Sequence, residues 1–348
     1  MINRSTISTF VFLLFIVTVS INNFSFININ DSYIFIYESW FKLISIFFRI
    51  FEFSVGDILY IIIPIILIIY FFKIERRRDK LIYLFKVPII IYCFFYWSWG
   101  FNYNIDSNFD SLKKSKYSIE DIEKTLKYYI SQTNNLQFKM SKKKDIKVTS
   151  TLSFKEIKKE CLITLKNQKW LFKNIKEKSF SVKKSIFSTP LSYMGFSGYI
   201  NPFTLEANIN YNIPKISLPI TISHEIAHQI GYAFEDEANY IAISALIASN
   251  DSYLNYSGYL MAVQYLMSEQ KKYDPEKYKV NRKNLNDGVI KNINEKNDYY
   301  LKYQNKFEDI FKKGYDKFLK KNNQTAGIKT YSLVVKMLIN QHNQLFPH

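Results

Sequence analysis

The chain has two cysteines and four histidines among 348 residues. Cys93 lies in an apolar run and Cys161 in a polar one, so the pair supplies neither a disulfide framework nor a cysteine-based metal site. With so few histidines, any cluster of them is informative. The formal net charge is +17, yet no Lys/Arg stripe with interleaved aromatics is present and no nucleic-acid fold signature appears. The lysines are mixed with Glu and Asp through helical patterns, and charge alone says little about fold. Nucleic acid is therefore not an expected partner. Internal repeats and a long disordered tail are also lacking.

What is present is uneven. The first hundred residues carry long apolar runs, whereas the rest is rich in Lys and Asn. That split predicts a membrane region over 1–101 and an extracytoplasmic domain over 102–348. Three stretches meet the requirement for a span of about 20 mostly apolar residues: about 8–27, 55–72 and 81–101. Pro64 inside the second is tolerated in membrane helices. Trp97 and Trp99 at the end of the third suit a membrane–water boundary. The loop "KIERRRDK", residues 73–80, is short and basic, which places it and the N-terminus in the cytoplasm and the chain after Phe101 outside. Residues 38–53 carry Lys42, Arg49 and Glu52 among aromatics and read as a helix lying in the outer interface. A span there would reverse the orientation. The expected location is thus the bacterial cytoplasmic membrane, multi-pass, with membrane lipid as one partner.

The polar part reads as α+β, mostly α. Ser118 with Asp121 and Ser153 with Glu156 have the spacing of capping boxes. Between 177 and 213 apolar and polar residues alternate around Pro and Gly, which predicts a few short strands. After 218 the pattern is helical nearly to the end.

The chemistry is concentrated in "ITISHEIAHQIGYAFEDEANYIA". Ser217 and Pro219 mark a helix start and Gly231 its stop. Between them, His224-Glu225-Ile226-Ala227-His228 is H-E-x-x-H, the zinc metallopeptidase signature. Spacing of four puts both imidazoles on one helix face. Glu225 sits at the edge of that face, able to reach a water as general base without being a ligand. A catalytic zinc takes three protein ligands and keeps one position open. The metzincin position for a third histidine is Phe234 here, so a carboxylate is required, and Glu235, Asp236 and Glu237 compete. Glu235 shares a face with Ala238, Asn239 and Ala242, whereas Glu237 points about 160° away. Glu235 is therefore the expected third ligand to one Zn2+, and Glu237 the alternative. Asn239 is the expected partner of a ligand histidine, and Asp236 an outer neighbour. Ala238, Ala242 and Ala245 form a small-residue stripe that lets this helix pack close to the histidine helix.

Glutamate-ligand zincins carry H-E-x-x-H followed, on a later helix, by Glu-x-x-Ala-Asn or a similar motif, and "EDEAN" is similar at Glu235, Ala238 and Asn239. The chain as a whole resembles the bacterial membrane family catalogued as domain of unknown function 3810. "FSVGDILYI", "WGFNY", "SGYINPFTLEANIN", "SHEIAHQIGYAFEDEANYIA", "YSGYL" and "TAGIKTYSLVVKMLI" carry that resemblance from about residue 53 to 339. It implies a zincin-like metallopeptidase domain behind N-terminal transmembrane helices, and no particular substrate. One departure is that Glu235 follows His228 by only seven residues, a short interval for a glutamate zincin.

Further expectations follow. Residues 198–209 precede the zinc helix and could pair with an extended peptide by strand addition. Tyr256 in "YSGYL" is a candidate oxyanion helper. His342 and His348 read as solvent-exposed. The activity expected is hydrolysis of a peptide or protein substrate. The alternative is a non-catalytic, zinc-stabilised membrane sensor or assembly factor with a zincin fold. An intramembrane protease fits less well, because the motif is flanked by Asn208–Asn212 and by acids rather than by an apolar run.

Overall fold

The structure, a computed structural model, describes residues 4–23, 30–114, 116–168, 170–171, 179–324 and 331–345. His348 and residues 24–27 of the first expected span lie outside them.

Four helices open the chain: α1 (Arg4–Asn23), α2 (Asn30–Phe48), α3 (Val55–Lys73) and α4 (Arg77–Ser98). Among the described residues, only α3 and α4 are long and apolar enough to cross a membrane; the apolar part of α1 is the shorter Thr9–Asn22. The second and third expected spans thus correspond to membrane-length helices, and the first does not reach that length among the described residues. The helix α1 packs along α4, with the Phe15 and Tyr92 rings 5.7 Å apart. Trp97 is not a free boundary residue, since its indole donates to Thr18 Oγ1 at 3.0 Å.

The helix α2, which holds residues 38–48 of the segment 38–53 expected to lie in the interface, has two faces. Tyr33, Tyr37 and Phe41 of α2, spaced by four, are buried in the protein, while Phe35, Leu43 and Phe47 are exposed. The buried face joins Trp99, Phe101, Tyr103, Leu205, Ala233 and Leu319 in an aromatic core. Each large side chain buried there contributes about 1.5–3 kcal/mol. Tyr37 also donates to the Gln229 carbonyl at 3.0 Å. Trp99, expected at the membrane boundary, is instead inside this core, because the chain tightens into a 3₁₀ turn over Gly100–Asn104 and folds back on the soluble part.

The helices α5 (Asp110–Lys114), α6 (Ile119–Ser141) and α7 (Phe154–Lys166) follow. Both predicted capping boxes form: Ser118 and Asp121 open α6, and Ser153 and Glu156 open α7. The short helix α8 (Ser188–Met194) interrupts the region read as strands. The strands are β1 (Val182–Lys184), β2 (Gly198–Ile200) and β3 (Ala207–Ile209). They pair in the order β1-β3-β2, parallel for β1 and β3 and antiparallel for β2 and β3. Only β2, not the whole of 198–209, is therefore an edge, since β3 is central.

The start of α3 is tied to this sheet. The Asp57 carboxylate accepts Ser185 Oγ–H and Ile186 N–H at 2.8 Å, and the Tyr199 hydroxyl. Glu206 accepts the Gly56 N–H at 2.6 Å and the Thr204 hydroxyl at 3.0 Å. A carboxylate at a helix N-terminus also meets the positive end of the helix dipole. Two buried acids thus fix a membrane-length helix to the strands beside the site.

The remaining helices are α9 (Leu218–Ile230), α10 (Glu235–Ile247), α11 (Ser252–Tyr273), α12 (Pro275–Lys283), α13 (Asp287–Tyr303), α14 (Lys306–Lys321) and α15 (Tyr331–Leu345). The main core gathers Ile122, Leu126, Ile157, Ile222, Ile226 and Leu246 from α6, α7, α9 and α10. The architecture is mostly helical with one small sheet. His342 is a correction to the sequence reading: it is buried at 4% exposure, with its ring 4.9 Å from that of Tyr128, because α15 packs into the core.

Candidate metal centre

The helix α9 begins with Pro219 in its first turn and ends at Gly231, whose φ of +111° is the left-handed conformation that favours glycine. The Gly231 and Tyr232 amides close on the carbonyls of His228 and Ala227 at 3.0 and 3.2 Å. The chain then reverses, and α10 starts at Glu235. Ala238, Ala242 and Ala245 are all fully buried, which lets α10 approach α9 closely. A short turn and small side chains together bring Glu235 to the histidines.

The resulting geometry is tight. The Nε2 atoms of His224 and His228 are 3.1 Å apart. Glu235 Oε2 is 3.3 Å from His224 Nε2, and Glu235 Oε1 is 3.6 Å from His228 Nε2. One ligand atom from each of the three residues lies within 4.8 Å of the others. Two nitrogens and a carboxylate oxygen are a donor set that zinc accepts, and three protein ligands leave a position open. His228 Nδ1 lies 2.6 Å from the Tyr232 carbonyl. A carbonyl can only accept, so Nδ1–H donates to it and Nε2 is the ring atom turned to the cluster, available to a metal once it gives up the proton it shares with Glu235. The residues present therefore fit a zinc ion.

Glu225 lies beside the cluster, 3% exposed, with Oε2 buried and without a hydrogen-bond partner among the described residues. Room for it comes from Gly198 in β2, where a Cβ would sit 2.8 Å from Glu225 Oε1. Burial pushes the Glu225 carboxyl up, against the pull of both imidazoles. Burial also opposes charge on the other two members, but their mutual contacts prevail. His228 rises to about 9 on its hydrogen bond and attraction to Glu235, and Glu235 is held well below the usual carboxylate range by the two imidazoles.

Several expected partners are elsewhere. Asp236 and Glu237 both pair with Lys113 of α5, at 2.8 and 2.7 Å, so Glu237 is turned away from the histidines. Asn239 lines the cavity but donates to the Glu235 carbonyl at 2.7 Å; the histidine partner it was expected to be is the Tyr232 carbonyl. Tyr256 is fully buried in α11 and donates to Asn292 at 3.0 Å, so it does not serve the site. The hydroxyl at the cluster belongs to Tyr315 of α14, which donates to Glu235 Oε1 at 2.5 Å. Burial and the Glu235 charge push Tyr315 well above the ordinary phenol range, which keeps it a donor. Trp99 adds a wall, its ring 6.1 Å from that of His228. Eighty residues separate Tyr315 from Glu235, and the chain has 27 tyrosines, so no local signal marks it.

The cluster opens into a cavity of about 1140 Å³. Its walls include Trp99 and Tyr103 after α4, Phe196 to Ile200 around β2, Gln264 of α11, Lys296 of α13 and Tyr315 of α14.

These features define a class: a mostly helical α+β protein with two membrane-length helices and a candidate metal centre of two histidines and a glutamate. The family model described as "Protein of unknown function (DUF3810)" matches residues 33–339, and the chain belongs to that family. No curated protein and no solved structure matches it.

Proposed function

We propose that the protein is a membrane-anchored zinc metallopeptidase that hydrolyses peptide bonds. The observation that carries this reading is the meeting of His224, His228 and Glu235 within 4.8 Å beside a buried carboxylate, Glu225, whose Oε2 no side chain among the described residues engages. A purely structural zinc site has no need of Glu225. Zinc held by the three ligands would supply Lewis-acid polarisation of the peptide carbonyl and acidify a water. Glu225 takes the proton of the attacking water and hands it to the leaving nitrogen. Tyr315 holds the Glu235 carboxylate in place. The outer edge of β2 offers backbone donors and acceptors to an extended peptide, and the cavity beside it has room for one.

The zincin-like assignment of the domain, and its place outside the cytoplasmic membrane in a multi-pass chain, belong to the same proposal. Arg76 in the α3–α4 connection and Arg77 and Arg78 in the first turn of α4 support a cytoplasmic turn there. The exposed apolar face of α2 supports contact with lipid.

The test is direct. The full chain, purified in detergent, is assayed for zinc content and for cleavage of a quenched fluorescent peptide library. Stoichiometric zinc and cleavage that vanishes in Glu225→Gln are expected. Absence of bound zinc, or cleavage indifferent to Glu225→Gln, would overturn the reading.

A further inference from the structure

The cavity extends from the metal cluster to a second polar feature that the reaction does not use. Met261, Gln264 and Ser268 repeat at i, i+3 and i+7 along α11 and line its wall. Lys296 of α13 faces them. Its Nζ lies 3.1 Å from Gln264 Oε1 and 3.4 Å from Met261 Sδ. Both neighbours are neutral, and among the described residues no carboxylate pairs with Lys296. The adjacent acid, Glu295, is taken by Lys147 at 2.9 Å. Lys312, another cation on the cavity wall, is neutralised by Glu308 at 2.5 Å. Lys296 is therefore the cavity lysine left without a counter-charge.

Lys296 is half-buried, and a cation partly withdrawn from water costs free energy unless an anion joins it. Burial alone pushes the Lys296 ammonium down to about 8. An ammonium has three donors; one goes to Gln264 and at most one to the weak acceptor sulfur of Met261, so at least one remains. A carboxylate arriving in the cavity would meet both the charge and a free donor.

We propose that Lys296, steadied by Gln264, is a recognition site for a carboxylate on the substrate peptide. The proposal rests on the hydrolase reading above and names the substrate class: peptides bearing a carboxylate at a set distance from the scissile bond. That carboxylate is either the peptide's own C-terminus or an Asp or Glu side chain. The same chemistry serves both.

The experiment measures binding rather than turnover. The zinc-loaded full chain in detergent, as the Glu225→Gln variant, is titrated into three fluorescein-labelled peptides of one length. One is an oligoalanine with a free C-terminal acid, the second its amide, and the third an amide with one internal glutamate. Tighter binding than the plain amide, by about tenfold, is expected for at least one carboxylate probe. A preference for the free acid identifies the C-terminus, and a preference for the glutamate amide identifies a side chain. Lys296→Met should erase the difference while leaving zinc content and the melting temperature near those of the parent, and Lys296→Arg should restore part of it. Equal binding of all three probes, no binding of any, or a preference that survives Lys296→Met would overturn the proposal. The two readings fail separately. Carboxylate-dependent binding in a chain that holds no zinc and cleaves nothing would leave the subsite and remove the hydrolase. A zinc-loaded, active chain without carboxylate preference would do the reverse.

Discussion

Glu235 Oε2 lies 3.3 Å from His224 Nε2, while its neighbours in sequence, Asp236 and Glu237, both reach Lys113 instead. Three consecutive acids thus divide between two tasks. The first residue of α10 faces α9, and the next two face α5. Helical rotation of about 100° per residue turns Glu237 about 160° from Glu235, and Lys113 on α5 draws Asp236 to the same side as Glu237.

Metal content should follow the division. Glu235→Gln is expected to weaken zinc binding by at least tenfold, and Glu237→Gln to leave it within about twofold. Zinc titration of the two variants against a chromophoric chelator checks this. An emptied site in Glu237→Gln with a filled one in Glu235→Gln would refute the ligand assignment.

Gly198→Ala should damage chemistry more than folding. The added Cβ would meet Glu225 Oε1 at 2.8 Å and the Asn208 carbonyl oxygen at 3.1 Å, so the base must shift. Displacements near 1 Å cost about 100-fold in rate. The expected result is retained zinc and a fall in kcat of that order. Unchanged kcat would mean that Glu225 has slack the structure does not show.

Tyr315→Phe removes one hydrogen bond from Glu235 without adding bulk. Partners of metal ligands are worth about 10- to 100-fold in metal affinity, so zinc affinity should drop within that range. Tyr256→Phe, which breaks only a core bond to Asn292, should leave zinc affinity unchanged. The pair of titrations separates the two tyrosines.

Asp57→Ala should loosen the seam between α3 and the sheet. It leaves the Ser185 hydroxyl, the Ile186 amide and the Tyr199 hydroxyl without their acceptor. Unpaired buried groups cost about 1–3 kcal/mol each. Only the Ser185 bond is fully buried, so a loss of about 1–3 kcal/mol should appear as a clear fall in thermal midpoint in detergent. Asp57→Asn, which keeps acceptor capacity at one oxygen, should lose less.

How far the sequence was legible varied with the range of the interactions involved. The capping boxes at Ser118 and Ser153 formed as read, because a cap is a contact among residues three apart. The α9 helix and its glycine stop were equally local. The sheet was only half legible. Alternation showed strands near 182 and 198–209, yet which of them is the edge depends on pairing across the chain, and α8 was not anticipated. Trp99 illustrates the opposite error. Its composition suits a membrane boundary, but the fold back at Gly100–Asn104 carries it into the core against His228. His342 was misread in the same way, since a polar residue near the end of a chain reads as exposed until a helix is seen to pack.

The sequence by itself determined the pair His224 and His228 on one face, the position of Glu225 beside them, and the opposite directions of Glu235 and Glu237 on the next helix. Each is a consequence of helical period over a few residues. Only the tertiary structure decided that Glu235 rather than its neighbours meets the histidines, that Tyr315 rather than Tyr256 meets Glu235, that Tyr232 rather than Asn239 fixes the His228 proton, and that Lys296 has no carboxylate partner among the described residues. Those contacts join segments far apart in the chain, and close packing, not local period, chooses among chemically equivalent residues.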